Sequence, residues 1–340
     1  MTDQSFRIFF AILILSGSGL IACNGSGNGR DSSAAAILTQ PPYAQLTDSL
    51  KKDKVPDRAG LYFRRGELLS HNDRHELAAA DFGKSWDLKP DELTGARFAS
   101  ELTITGQIGK AIRLLEDCRK KFPDNSSFAA TQAELFIQSN RTQDAIAVYD
   151  GIVRNDSLNV DAWYEKGLLL EKKGDTPNAI DALRRAYRIT PVNTYGLELA
   201  LLYADSRDPA AVAVCDAILR KDSARDLPDP FLIKGIYYSN TMQYKKAIVQ
   251  FDSCIGRDWK FADAYLEKGI ALFKQKEYPR ALGSFQMTVK VAETDADGYF
   301  WIGRCYEATG DKQEAIGYYR QALLLDKQFT EAADRIKHLE

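Results

Sequence analysis

The chain has 340 residues, with 45 Lys+Arg against 47 Asp+Glu and a formal net charge of −2. No Lys/Arg stripe runs along it, which excludes a nucleic-acid partner, because phosphate binding needs a concentrated basic footprint. Only three histidines occur, and there is no Gly-x-Ser-x-Gly, glycine-rich phosphate loop or His-Glu-x-x-His spacing, so the expectation is no enzyme, no cofactor and no metal.

At the start of the chain, Arg7 precedes an apolar run from Ile8 to Ile21 that Ser16, Gly17, Ser18 and Gly19 interrupt. The run is too short and too broken to span a bilayer as a helix. Its end, Leu20-Ile21-Ala22-Cys23, resembles a bacterial lipobox. That resemblance implies a signal peptide over residues 1–22, cleavage before Cys23 and acylation of the Cys23 thiol. One acyl chain binds only marginally at about 0.8 kcal/mol per methylene, so several on Cys23 would anchor durably. Residues 23–40 open with Asn24-Gly25-Ser26-Gly27-Asn28-Gly29, the composition of a flexible tether. Asn24 stands where the Gram-negative lipoproteins it resembles carry aspartate for inner-membrane retention. The implied location is the periplasmic face of the outer membrane, with membrane contact through the lipid anchor only.

From there the chain repeats itself. Ala78, Ala111, Ala145, Ala179, Ala211, Ala247, Ala281 and Ala315 follow at steps of 32 to 36 residues, the signature of a stacked array. A small residue stands twelve before nearly every one (Gly66, Ala99, Ala133, Gly167, Gly235, Gly269, Gly303; Ala200 is eleven before), where two helices are to touch. Four after comes a bulkier or apolar residue such as Phe82, Leu115, Tyr149, Phe251, Phe285 or Tyr319. Pro90, Pro123 and Pro191 close units, since proline cannot continue a helix.

The pattern Trp163, Gly167, Leu170, Gly174, Ala179, Leu183, Ala186 and Pro191 resembles the tetratricopeptide repeat family. Membership implies an all-α chain: a right-handed α-solenoid of about eight helix pairs, A then B, over residues 57–328. A leading half-repeat helix (41–56) and a C-terminal capping helix (329–340) would cover its ends. One pair cannot bury its own apolar stripe, so neighbours must complete the core. The fifth unit is the most degenerate, with a long connection around Arg225 to Pro230.

The family's geometry implies that A helices line a concave wall. Its fifth and ninth repeat positions become Tyr164 and Leu168, Leu197 and Leu201, Leu232 and Ile236, Leu266 and Ile270, with Phe300 and Arg304 in the last repeat and Phe273 beside them. The first three repeats place Phe63 and Glu67, Ala96 and Ser100, Ala130 and Glu134 there instead. The groove is expected to be polar and roomy towards the N-terminus and apolar towards the C-terminus, a site for an amphipathic helix or extended peptide of an envelope protein. No lysine and asparagine pair occupies the fifth and ninth positions, so the family's carboxylate-clamping mode is not implied. The alternative is a small-ligand or glycan receptor that uses Tyr164, Phe273 and Phe300 as stacking faces, with Asp161, Glu171 and Asp263 as acceptors.

Cys118, Cys215, Cys254 and Cys305 show no C-x-x-C spacing and read as buried apolar thiols, with Cys215 and Cys254 the pair to check for a bond. His71 and His75 flank Asn72-Asp73-Arg74, an A-to-B turn by repeat register, and read as solvated rather than metal-binding.

Overall fold

The computed structural model describes residues 35–340, and all regular structure among them is helical. The expected signal peptide, lipobox and acylated Cys23 lie outside the described residues. No helix among the described residues is long and apolar enough to cross a membrane. The described residues divide into two compact units, with the division between Leu169 and Leu170.

In the first unit a short helix α1 (Ala44–Leu50) leads into α2 (Arg58–His71), α3 (His75–Leu88), α4 (Glu92–Ile104), α5 (Ile108–Lys121), α6 (Ser126–Gln138) and α7 (Thr142–Asn155). Each packs on the next, from α1 on α2 to α6 on α7. The boundary between units falls inside α8 (Val160–Lys172). The leading helix is shorter than the expected half-repeat. Residues 35–38, expected within the tether, are helical, and Ile37 and Leu38 pack against Tyr43, Leu69, Ala78 and Phe82. A buried ion pair fixes this end. Arg65 Nε and Nη2 donate to the two Asp81 oxygens at 2.6 and 2.8 Å, and Arg65 Nη1 donates to Thr47 Oγ1 at 2.8 Å. The Thr47 hydroxyl in turn donates to the Leu38 carbonyl at 2.7 Å.

The second unit holds α9 (Thr176–Ile189), α10 (Asn193–Asp205), α11 (Ala210–Lys221), α12 (Asp229–Asn240), α13 (Tyr244–Arg257), α14 (Ala262–Lys274), α15 (Tyr278–Val291), α16 (Ala296–Thr309), α17 (Lys312–Leu325) and the cap α18 (Thr330–Leu339). Here too each helix packs on the next, and the A helices α10, α12, α14 and α16 also touch one another in sequence. The Asn240 amide donates to the Ala204 carbonyl at 3.2 Å across the α10–α12 contact. In the long fifth connection the Asp222 carboxylate accepts from the backbone N–H of Arg225 and Leu227. The connection ends at Pro228, and Pro230 sits in the first turn of α12, where its missing N–H is not needed. The cap α18 covers the last repeat by placing Ala332 with Phe300, Ala315, Tyr319 and Ala322.

Local chemistry sets the helix ends. Asp57, Asp91, Asn125, Asp295 and Asp311 each accept a backbone N–H from the first turn of the helix they precede. Each A-to-B turn holds one residue with positive φ, from Asp73 at 56° through Gly174 at 83° and Met242 at 60° to Gly310 at 93°. The eight periodic alanines have no exposure. The small residue twelve before them does what its size suggests. A Cβ added at Gly269 would lie 2.4 Å from the Phe285 ring, so only glycine admits that ring beneath the A helix. One inter-repeat contact recurs: Lys166 on Asp150 at 2.6 Å, Lys234 on Asp216 at 2.7 Å and Lys268 on Asp252 at 2.6 Å join an A helix to the preceding B helix.

Candidate functional site

In the second unit the expected groove residues fall into two groups. Leu197 and Leu201 on α10 and Ile270 and Phe273 on α14 are partly exposed. Leu232 and Ile236 on α12, Leu266 on α14 and Phe300 on α16 are not. Their exposures are 3, 9, 5 and 3 %, so they belong to the core, and Phe300 packs there on Tyr319 of α17 and on Phe329 before the cap. The expected continuous apolar strip is corrected accordingly: core packing takes up four of its members.

Phe273, Phe300 and Arg304 are brought together at the last repeat. The Arg304 guanidinium lies 5.5 Å from the Phe273 ring centre, 5.8 Å from Phe300 and 5.5 Å from Trp301, and its Nη1 is 3.5 Å from Glu331 Oε1 on the cap. Phe300 also packs on Phe329 at 4.9 Å. Phe273 meets the edges of Tyr278 and Trp301. These rings are committed to one another, which removes Phe300 as a face for stacking a sugar.

Glu198, Glu267 and Asp297, which the sequence reading passed over, share these A helices with Asp263, which it named as an acceptor. Burial, then Asp263 and Asp205, push the Glu267 carboxyl up to about 7. Burial, then Asp295, Asp326 and Glu331, push Asp297 up to about 7. Glu198 is raised by burial and Glu171, and Asp263 by burial and Asp295. Glu165, Glu198 and Glu267 all stand at the sixth repeat position, a regularity visible in the register but outside the positions the family resemblance singles out.

In the first unit, Tyr164 and Leu168 are partly buried on α8. Neither lines the cleft of about 400 Å3 in this unit, whose walls are Ala130, Glu134 and Ile137 of α6, Tyr149 and Ile152 of α7 and Asp161 and Glu165 of α8, among others. Ala130 and Glu134 are the positions at which a polar, roomy groove was expected. The Glu165 carboxyl is raised by burial, then by Glu134 and Asp161. Burial, then Glu165 and Glu134, raise the Tyr149 phenol.

The remaining candidates resolve as structural. His75 is not a solvated turn residue: its Nδ1 lies 2.8 Å from Glu101 Oε2, and Ser70 Oγ donates to Glu101 Oε1 at 2.6 Å. Among the described residues no group of His, Cys, Asp and Glu could hold a metal ion. Cys118, Cys215, Cys254 and Cys305 are free and buried, their thiols pushed up to about 12 chiefly by burial.

A family model described as "Tetratricopeptide repeat" matches residues 105–157, 130–194 and 266–333. These segments are tetratricopeptide repeats. A tetratricopeptide repeat protein from Parabacteroides merdae superposes with a TM-score of 0.57 at 16 % identity, over 71 % of this chain and 95 % of that one. PilW, a type IV pilus biogenesis factor, gives 0.52 at 18 % identity over 63 % and 97 %. Among curated proteins, the human mitochondrial import receptor subunit TOM70 is 26 % identical over 159 residues, 44 % of this chain and 26 % of the receptor. The chain thus spans about a quarter of that relative's length. The two structural likenesses carry the fold alone: helix pairs stacked as an α-solenoid.

Proposed function

We propose that this chain is a non-catalytic scaffold, held to the periplasmic face of the outer membrane by lipid on Cys23, which takes a polypeptide segment of another envelope protein on its A helices. The observation that carries this reading is the mixed character of those faces. Partly exposed Leu197, Leu201 and Ile270 lie on the same helices as Glu198, Asp263 and Glu267, whose pKa values are raised by burial and by neighbouring carboxylates. An amphipathic segment with apolar and basic residues satisfies both features at once. The likeness to an import receptor subunit agrees in kind. Burial of Phe300 weighs against the glycan reading.

The test is crosslinking in cells with the anchor intact, followed by mass spectrometry of captured proteins. Leu197→Ser with Leu201→Ser should cut capture while helicity persists. Leu232, Ile236 and Leu266 are unsuitable for this purpose, since serine at a buried leucine or isoleucine costs several kcal/mol of stability, roughly 2–5 for truncation alone. Cys23→Ser should move the chain from the membrane fraction to the soluble one. Unchanged capture by the double variant, or unchanged fractionation without the Cys23 thiol, would count against the proposal.

A further inference from the structure

The cleft of the first unit has a specific chemistry. Its walls carry Glu134 from α6 and Asp161 and Glu165 from α8, and no lysine or arginine lines it. Glu134 and Asp161 both bear on the Glu165 carboxyl, so like charges surround one space. Neither Glu134 nor Glu165 has a hydrogen bond or ion pair among the described residues. Such an arrangement is unfavourable until a cation enters.

A second feature points to the same occupant. Tyr149 is 5 % exposed and lines the cleft, yet its hydroxyl has no hydrogen-bond partner among the described residues. The ring is buried, but the hydroxyl itself is not a fully buried unpaired atom and stands open to the cleft, where a ligand can hydrogen-bond to it. Register explains its placement. The equivalent rings Phe82, Phe251, Phe285 and Tyr319 lie under Gly66, Gly235, Gly269 and Gly303 with no exposure, whereas the third repeat has Ala133 at the glycine position.

The carboxylates do not form a metal-holding group, and a volume of about 400 Å3 suits an organic cation with an apolar stem. Ile137 and Ile152 line the same cleft and match the methylenes of such a stem. A planar guanidinium has enough donors in a fixed fork to serve two carboxylates and the tyrosine oxygen together, which a single ammonium does less well. We propose that this cleft is a subsite for an arginine side chain of the bound polypeptide, with Glu134 and Glu165 taking the guanidinium and the Tyr149 hydroxyl accepting one of its N–H groups. The subsite rests on the polypeptide-scaffold reading above.

The test is isothermal titration calorimetry of the full chain at pH 7.5 and low salt with the peptide Gly-Ser-Ala-Leu-Arg-Leu-Ala-Ser-Gly. The same peptide with citrulline, an uncharged isostere, and with lysine serve as comparisons, and N-acetyl-arginine amide is titrated alone. The arginine peptide should bind about tenfold more tightly than the citrulline peptide, the scale of one charge-assisted contact. Glu134→Gln with Glu165→Gln should remove that difference, and Tyr149→Phe should reduce it several-fold; both variants preserve side-chain shape, and far-UV circular dichroism checks their folding. Equal affinity for the arginine and citrulline peptides, or an arginine affinity unchanged in the double variant, overturns the subsite. Equal affinity for lysine overturns the guanidinium assignment. The two readings separate cleanly. If N-acetyl-arginine amide binds in a Glu134- and Glu165-dependent way but no peptide binds more tightly, the cation site stands and the polypeptide reading falls. If proteins are still captured in cells by the double variant at full yield, the scaffold stands and the subsite falls.

Discussion

Replacing Gly269 by alanine tests how closely the two helices of a pair approach. The new Cβ would sit 2.4, 2.7 and 2.8 Å from Cε1, Cδ1 and Cζ of Phe285. Carbon atoms settle at about 3.5–4.0 Å, so the ring must retreat by roughly 1 Å. It has little room to do so, because Phe285 has no exposure and stacks on Trp301 with ring centres 5.6 Å apart. Overpacking of this kind costs about 1–3 kcal/mol. Alanine also gains up to about 1 kcal/mol over glycine in a helix, which partly masks the cost. Gly283 supplies the control, since it lies in α15 with nothing within 4 Å of an added Cβ. Gly283→Ala should raise stability by the propensity gain, and the difference between the two variants, about 1–3 kcal/mol, isolates the steric clash. Urea unfolding followed by circular dichroism at 222 nm measures it, with the slope compared as well as the midpoint, because arrays can unfold in parts. Phe285→Leu should relieve the clash, so that Gly269→Ala with Phe285→Leu loses less than the two changes summed. The second repeat already uses Ala99 with Leu115 at these positions. A Gly269→Ala chain as stable as the Gly283→Ala chain would refute the close-approach argument.

Asp81→Ala leaves Arg65, 5 % exposed, without its counter-charge, and should cost about 3–5 kcal/mol. Because Arg65 also holds Thr47, hydrogen exchange should rise first in residues 44–50; protection there equal to the parent's would contradict the link. The Glu267 carboxyl, raised from 4.5 to about 7, keeps its proton in the folded chain over a range in which the unfolded chain has lost it. Its contribution is therefore greatest below pH 4.5 and declines as pH rises towards 7 and beyond. Glu267→Gln should raise the melting temperature at pH 8 and leave it nearly unchanged at pH 4; equal effects at both would sink the assignment. Gly174 has φ 83° with open space around it, so Gly174→Ala should lose roughly 1 kcal/mol from left-handed backbone strain alone. At Met242, 72 % exposed with φ 60°, Met242→Gly should move stability the opposite way, and the two midpoints shifting together would argue against a backbone cause.

Helical periodicity is a local property, so the sequence by itself determined most of the architecture. The 32-to-36-residue steps located the eight helix pairs among the described residues, and the small residue eleven or twelve before each alanine marked where A meets B, as the Gly269 and Phe285 approach bears out. Burial on the A helices is not local. It depends on which helices pack around each side chain, and only the tertiary structure separated Leu232, Ile236, Leu266 and Phe300, which are buried, from Leu197, Leu201 and Ile270, which remain partly exposed. The same holds for His75, whose partner Glu101 lies 26 residues away, and for the Arg65, Asp81 and Thr47 cluster. The acidic cleft lies between these cases. Glu165, Glu198 and Glu267 share a repeat position that was there to be read, but the gathering of Glu134, Tyr149 and Glu165 around one space needed three helices set side by side, because a carboxylate's neighbours in water are chosen by packing and not by order along the chain.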